Sequence, residues 1–342
     1  MSYISFQPQD YFNTKIFTGN GSTQSITGVG FEPSLTWIKN RDHANHNVLF
    51  DAVRGGSKVI YANLTNAEAT ASGVTAFDSD GFTLGNDSDT NRNTNSHASW
   101  NWKANGQGSS NTDGSINTTY TSANTTSGFS ISTYTGTGSN ATIGTGLGVK
   151  PSMIICKRLN STGSWITYHS SLGATKYLYL NATDAEATNS TVWQDTEPTT
   201  SVFSVGTASN CNASGGTYVA YCFAEKKGFS KFGSYTGNNN DDGNFIYLGF
   251  KPAFIIIKRT NFTKSWLMFD NKRDGYNPDN NQLQPNDTVV EATDDLIDMV
   301  SNGFKIRTSS NSFVNTSGGE FIYMAFAEEP LVSSNGVPAT AR

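Results

Sequence analysis

The sequence predicts an all-β protein made of three tandem homologous antiparallel β-sandwiches, jelly-roll or lectin-like in outline. Three observations support this prediction: one motif occurs three times, short apolar runs alternate with turn residues, and the composition is polar without being strongly charged. Hydrophobic residues make up 36% of the chain and charged residues 15%, and both fractions are below those of a typical globular protein. Aromatic residues, at 12%, are bulky enough to fill a core.

The repeated motif is Gly-x-x-Pro followed by an apolar strand that ends in lysine. The lysines are Lys39, Lys157 and Lys258, and an aromatic residue follows each of them 11 positions later. The lysines lie 118 and 101 residues apart, which is the size of a domain. We therefore divide the chain into copy one with an N-terminal arm (1–104), a Gly/Ser/Asn/Thr-rich linker or hairpin (105–127), copy two (128–227), copy three (228–329) and a C-terminal arm (330–342).

Each copy is predicted to consist of short strands separated by Gly, Asn and Asp turns. In copy one the strands are expected at 15–18, 24–27, 34–40, 47–52, 58–62, 82–84 and 98–103. The one helical turn is expected from Glu291 to Met299, where acidic residues crowd the beginning. Most core anchors are expected among Trp37, Phe50, Trp100, Trp102, Ile155, Tyr168, Ile256 and Phe269.

Charge and hydropathy exclude several classes of protein. A net charge of −5 and a pI near 5.4 argue against nucleic-acid binding, which needs a basic face. No apolar run approaches the ~20 residues of a membrane helix, so no membrane insertion is expected, and the first residues do not resemble a secretory signal. Cys156 is expected to be a small buried hydrophobe of a strand, and Cys211 is expected in a loop.

Candidate catalytic and metal-binding residues are few, and we expect neither enzymatic activity nor a cofactor. No nucleophile-elbow or zinc-protease motif occurs. His43 and His46 beside Asp42 have a spacing that could hold a metal, but a solvated loop is the favoured interpretation. The acidic stretch Asp78, Asp80, Asp87 and Asp89 is expected to form ordinary turns, with a calcium site as the alternative.

Lys39, Lys157 and Lys258 and the later Glu68, Glu186 and Glu291 recur in all three copies. Either they pair at a repeated binding site, or they are structural. In the favoured structural reading the lysines snorkel over the sandwich edge, and the glutamates cap turn amides. For sugar binding or an interface, the candidate residues are the loop aromatics Trp193 and Tyr276.

Several motifs together resemble a family of virion proteins from tailed bacteriophages, many of them marine, usually described as tail-fibre-like or structural. They are Gly-x-x-Pro with its strand and Lys-Arg, the Ala-Glu-Ala-Thr segments, and the sequences at 78–82, 111–116 and 335–342. The resemblance implies a tail-fibre, tail-appendage or head-decoration protein on the surface of the phage particle, made in the bacterial host cytoplasm. The alternative is a carbohydrate-binding module that recognises a host surface glycan.

Partners are also implied by this resemblance. We expect other virion proteins and a homo-oligomer, with a trimer favoured by analogy to the family. Sandwiches joined in a row expose edge strands that need cover. The aromatic N-terminal segment 3–12 and the C-terminal segment 331–342 are expected to dock on a neighbouring chain.

Overall fold

A computed structural model describes residues 6–273, 277, 279–309, 311–327 and 329 of the chain. Of the described residues, 43% lie in strands and 5% in helices, which confirms the all-β prediction. All strand pairs in the named sheets are antiparallel. Most of the C-terminal arm, including 331–342, lies outside the described residues, as does Tyr276.

The elements follow the chain in this order. A 3-10 turn (Pro8–Asp10) precedes β1 (Phe12–Thr18), β2 (Gln24–Thr27), β3 (Leu35–Asn40), β4 (Asn47–Asp51), β5 (Lys58–Tyr61), β6 (Ala69–Thr70), β7 (Val74–Asp78), β8 (Gly81–Leu84), α1 (Ser88–Asn91) and β9 (Ser96–Trp102). The linker and copy two contain β10 (Tyr120–Asn124), β11 (Phe129–Thr135), β12 (Ala141–Gly144), β13 (Met153–Arg158), β14 (Ile166–His169), β15 (Lys176–Tyr179), β16 (Ala187–Thr188), α2 (Ser190–Trp193), β17 (Val202–Val205), α3 (Ser209–Asn212) and β18 (Thr217–Phe223). Copy three contains β19 (Ser230–Thr236), β20 (Phe245–Tyr247), β21 (Pro252–Arg259), β22 (Leu267–Asp270), β23 (Asp279–Gln282), β24 (Ala292–Val300), β25 (Gly303–Ile306) and β26 (Glu320–Ala327).

Each copy contributes two sheets. The first sheet contains the strand that carries the repeated lysine, and the three first sheets have the orders β1-β9-β3-β4-β5-β6, β10-β11-β18-β13-β14-β15-β16 and β19-β26-β21-β22. The second sheets are β2-β8-β7, β12-β17 and β20-β25-β24-β23. The linker is therefore part of the sheet of copy two, because β10 pairs with β11.

The central strands β3, β13 and β21 of the first sheets are buried on both faces, as the apolar run of β21 predicts. In β3, Trp37 belongs to a central cluster shared by all three copies, whereas Ile38 belongs to a cluster confined to copy one. In β21, Ile256 and Ile255 divide between the central cluster and a copy-three cluster in the same way. The alternation follows from the two-residue period of a strand. All eight predicted core anchors are at most 3% exposed.

The sequence predicts copies that are joined in a row. In the structure the three copies instead close around a common axis. Trp102, Phe223 and Phe326 occupy equivalent positions near the ends of β9, β18 and β26. Their ring centroids form an almost equilateral triangle with sides of 6.1, 5.8 and 5.9 Å. A pseudo-threefold axis therefore passes through the central cluster.

Two further expectations are wrong. The segment expected to be helical is β24, which pairs with β25 across the turn at Ser301 and Asn302. Part of the N-terminal arm is already packed within its own chain: the Phe6 ring lies 5.1 Å from Tyr11 and 5.4 Å from Phe229. Phe12 is fully buried in the central cluster. Residues 6–12 are thus not a free docking segment.

Candidate functional site: the interfaces between the copies

The three repeated lysines lie at the interfaces between neighbouring copies. Each is fully buried at the end of β3, β13 or β21, so the prediction that they snorkel to the surface is wrong. Their Nζ atoms donate to main-chain carbonyls of their own copy and to one carbonyl of a neighbour. The neighbouring acceptors are Thr288 for Lys39 (3.2 Å), Thr65 for Lys157 (3.3 Å) and Thr183 for Lys258 (3.2 Å).

These bonds run in one direction around the ring, from copy two to one, from three to two and from one to three. Burial lowers the pKa of Lys39 and Lys157 to about 8 and that of Lys258 to about 7. Lys258 donates to three carbonyls, and an ammonium group supplies the three donors that they need. The lysines therefore act as buried cross-links between copies.

The repeated glutamates lie at the same interfaces but do not bond to these lysines. Their main-chain N–H groups donate across the interface, from Glu68 to Leu159 (2.8 Å), from Glu186 to Thr260 (2.7 Å) and from Glu291 to Arg41 (2.9 Å). Each acceptor lies two residues after the lysine of its own copy. The lysine and glutamate positions thus form one repeated contact, which favours a structural role. The prediction that the glutamates cap turn amides is wrong, because their carboxylates accept from Arg54, Lys176 and Arg41.

An ion network that the sequence analysis did not identify joins the side chains of two interfaces. Arg54 donates through Nε to Asp51 (2.6 Å) and through Nη1 to Glu68 (3.1 Å), while the Tyr221 hydroxyl of copy two donates to Asp51 (2.6 Å). Burial would lower the pKa of Arg54, but Asp51, Tyr221 and Glu68 together outweigh burial and raise it. Burial, followed by the Asp51 charge, raises the pKa of Tyr221 well above its ordinary value.

The interface between copies three and one repeats this network. Arg273 bonds to Asp270 (2.5 Å) and to Glu291 (2.8 Å), and the Trp100 indole of copy one donates to Asp270 (3.0 Å). Burial would raise the pKa of Asp270, but the charge and hydrogen bonds of Arg273 outweigh burial and hold it below its usual range. Arg41 adds a bidentate pair with Glu291.

Copy two lacks this network at its interface with copy three. Its equivalent positions hold His169 in place of the aspartate and Leu172 in place of the arginine. His169 Nε2 lies 3.1 Å from the Tyr323 carbonyl of copy three, and burial lowers the His169 pKa to about 4. His169 is therefore neutral at pH 7, and Nε2 is the protonated nitrogen that donates this bond.

Two clefts open at equivalent places on the interfaces. The cleft between copies two and three has a volume of about 370 Å³ and is lined by Ser171, Leu172, Ser234, Thr236 and Glu320, among others. Its counterpart between copies one and two has a volume of about 220 Å³. The Arg54 side chain lines the smaller cleft, and the shorter Leu172 takes that position in the larger one.

The histidines expected to form a possible metal site have separate partners. His43 Nδ1 lies 3.1 Å from Asn45 Oδ1, and His46 Nδ1 lies 2.9 Å from Asn63 Nδ2. Among the described residues, no group of three or more His, Cys, Asp or Glu side chains is placed to hold a metal ion.

The four aspartates of the acidic stretch each serve local structure. Asp80 accepts from the N–H groups of Gly28 (2.9 Å) and Gly30 (2.7 Å), and Asp78 accepts from the Thr83 hydroxyl. Asp87 caps α1 by accepting from the N–H of Asp89 (2.8 Å). The Asp89 carboxylate accepts from the N–H of His46 and the amide of Asn45. These bonds match the expectation of Asp-rich turns.

Trp193 is not an exposed loop residue, and that prediction is wrong. It lies in α2, a short helix capped by Asn189, and its side chain is 2% exposed in the copy-two cluster. Tyr168 and Phe203 pack against its ring. Cys211 is likewise in a helix and buried, whereas Cys156 is the buried strand residue that the sequence predicts. Tyr276 lies outside the described residues.

The sequence does carry a signal for the ion network. Asp51-Ala-Val-Arg54 and Asp270-Asn-Lys-Arg273 have the same spacing, and both aspartates lie 12 residues after the lysine of their copy. Copy two breaks the pattern with His169 and Leu172, which hides it from a search for features common to all three copies.

The fold and the interfaces define an all-β protein of several antiparallel sheets closed around a shared core. A family model described as Domain of unknown function (DUF7483) matches residues 7–330, and the chain belongs to that family. The match runs across all three copies and the linker. No curated protein and no solved structure matches the chain. In the part of the chain that the structure describes, no helix is long and apolar enough to cross a membrane.

Proposed function

We propose that the chain is a non-enzymatic structural protein of a phage particle, a tail-fibre or tail-appendage component or a head-decoration protein. The observation that carries this proposal is the use of the repeated residues. The lysine and glutamate positions kept in all three copies lie in the interfaces that close the ring. Residues that recur because they hold the copies together indicate a rigid structural body rather than three separate reactive sites. The association with phage rests on the resemblance of the sequence motifs.

The same proposal includes the finer architecture and the assembly. Each copy is a sandwich of its first and second sheets, jelly-roll or lectin-like in outline, with its own apolar cluster between the sheets. The chain occupies the particle surface as a homo-oligomer beside other virion proteins. A trimer is favoured by analogy to the family, and the internal pseudo-threefold axis suits a three-fold position on a particle even for a single chain.

Location on the particle tests this proposal. Antibodies raised against the purified chain should label intact particles of the phage whose genome encodes it, in negative-stain electron microscopy. Mass spectrometry of gradient-purified particles should recover the chain in a fixed ratio to the major capsid protein. A chain that stays in the lysate and is missing from washed particles would rule out the structural role.

The second candidate is a carbohydrate-binding module that recognises a host surface glycan. The two equivalent clefts favour it, because the larger one presents the hydroxyls of Ser171, Ser234 and Thr236 and the carboxylate of Glu320. Hydroxyls and a carboxylate are suitable partners for sugar hydroxyl groups. Ligand sites of this kind occur preferentially in clefts between structural units.

A glycan array with the purified chain tests the second candidate. Ser234 is exposed at the cleft, so Ser234→Trp should block it without disturbing the core. Thr133 is the equivalent position in copy two, and Thr133→Trp is the matched variant for the smaller cleft. Glycan binding that both variants leave unchanged would place the sugar elsewhere and reject the clefts as the site.

A further inference from the structure

Strand β20 of copy three has an unusual free edge. Within the described part of its sheet, β20 is the first strand and pairs on one side only, with β25. Phe245 and Tyr247 are 48% and 59% exposed, whereas Ile246 between them is buried. An edge strand with two exposed aromatic side chains on one face is a ready template for another strand.

The backbone groups of these two aromatic residues point to the free edge. The N–H of Ile306 donates to the Asn244 carbonyl (3.0 Å), and the N–H of Leu248 donates to the Asn302 carbonyl (2.9 Å). Asn244 and Leu248 therefore direct their polar groups toward β25. Because successive residues of an antiparallel strand alternate in direction, Phe245 and Tyr247 direct their N–H and C=O groups away from β25.

Copy two shows what this edge can accept. Ile143 of β12 pairs with Phe203 of β17, as Ile246 of β20 pairs with Phe304 of β25. Thr142 is therefore equivalent to Phe245. The Thr142 carbonyl accepts from the N–H of Ile116 (3.1 Å), and the Thr142 N–H donates to Ser115 Oγ (2.9 Å). Ile116 of the linker thus forms a bridge along β12. The connection between copies two and three, from Phe223 to Ser230, is too short to cover β20 similarly.

We propose that β20 docks antiparallel against β20 of a second copy of this chain, with the two-fold axis at Ile246. In that register Phe245 lies opposite the partner's Tyr247 and Tyr247 opposite the partner's Phe245. Both members of each pair direct their backbone groups outward, so the two pairs exchange four hydrogen bonds. Their side chains then form aromatic cross-strand pairs, which stabilise antiparallel sheets. No other antiparallel register of two β20 strands pairs both aromatic residues with aromatic residues of the partner.

Charge also favours a second copy as the occupant. Residues 244–248 carry no charged side chain, so the dimer opposes no like charges, and the lysine or proline that commonly protects an edge is missing. The equivalent edge positions in copy one are the polar Ser25 and Thr27. A fully buried aromatic side chain covers 150–250 Å², so four half-exposed rings cover roughly 400 Å², less than a standard interface. The affinity of two free chains is therefore weak, and the dimer is well populated only where chains are held side by side at a high local concentration.

Sedimentation equilibrium at protein concentrations up to roughly 1 mM tests for association in the weak range. The weight-average mass of the wild type should rise toward that of a dimer. The variant Phe245→Ser with Tyr247→Thr gives β20 the residues of copy one and should stay monomeric, while Ser25→Lys on β2 should associate like the wild type. A wild type that stays monomeric at every concentration, as expected if the edge accepts only a strand of another protein, would overturn the proposal. So would association that the β20 variant leaves unchanged.

Cysteine cross-linking tests the register. Directly opposite residues of a hydrogen-bonded antiparallel pair have Cα atoms about 5.5 Å apart, which suits a disulfide. A mixture of Phe245→Cys and Tyr247→Cys chains should form disulfide-linked dimers under mild oxidation faster than either variant alone. The native cysteines are buried and do not compete. A mixture that cross-links no faster than its separate components would overturn the register.

Discussion

Removing the arginine of the buried ion network should destabilise the whole chain. The side chain of Arg54 is 3% exposed and that of Asp51 is 0% exposed, and Arg54 also neutralises Glu68. Arg54→Leu leaves Asp51 as a buried carboxylate without its cation. Loss of one partner from a buried pair costs about 3–5 kcal/mol. Because Asp51 keeps the Tyr221 hydroxyl and the Arg54 main-chain N–H, we expect the lower end, about 3 kcal/mol.

Copy two supplies the matched control. The double variant Asp51→His with Arg54→Leu reproduces the His169 and Leu172 pattern of copy two, so it removes both charges together. Replacing a buried pair as a unit is often nearly neutral, and we expect a loss of at most about 1 kcal/mol. The single change should thus be more harmful than the double change that contains it.

Urea unfolding followed by tryptophan fluorescence measures both losses. The central cluster contains residues of all three copies, so a single transition with an unchanged slope is expected and the midpoint reports stability. A single variant that loses less than about 1 kcal/mol would show that Asp51 does not need Arg54. A double variant no better than the single one would show that the aspartate is not the cause.

Three further predictions concern pH, packing and thiol chemistry. Burial lowers the pKa of Lys39 and Lys157 to about 8 and of Lys258 to about 7, so between about pH 7 and 10 the folded chain releases these protons before the unfolded chain does. Stability measured by urea unfolding should therefore rise with pH in that window, and Lys258→Met should flatten the rise; a fall across the window contradicts it. Phe269 is fully buried, and Phe269→Ala should cost about 3–5 kcal/mol; a loss below about 1 kcal/mol would contradict its assignment as a core anchor. Burial raises the pKa of Cys156 to about 12, and all three cysteines are buried, so a thiol reagent should label the native chain only after urea is added.

Seven of the nine strands described in copy one could be predicted, because each copy repeats them with local signals, whereas β6 and β7 are not expected from the sequence. β2 begins and ends where the alternation and the turn residues place it, and β3 and β4 differ from their predictions by one residue at one end. β24 could not be predicted, because Leu296 and Met299 have a helical spacing and the acidic residues resemble a helix start. Pairing with β25 decides the conformation, and that long-range contact has no local signal.

The interfaces could not be predicted because no local pattern shows which copies touch. A lysine at a strand end resembles a snorkelling side chain, and only the neighbouring carbonyl makes its burial favourable. The burial of Trp193 could not be predicted either, because its Ser- and Thr-rich surroundings resemble a loop, whereas Asn189 caps a short helix over an aromatic cluster. The core anchors were predictable because their burial follows from strand alternation alone.

The unequal survival of the two kinds of interface contact has a physical explanation. The lysine bonds end on main-chain carbonyls, which every residue supplies, so the neighbouring copy can diverge without losing an acceptor. The ion network needs a specific side chain at each of its ends, and loss of either one leaves a buried charge. Such a network must be kept whole or lost whole. Copies one and three keep both aspartate and arginine, whereas copy two replaces both. The lysines recur at all three interfaces because their partners are backbone.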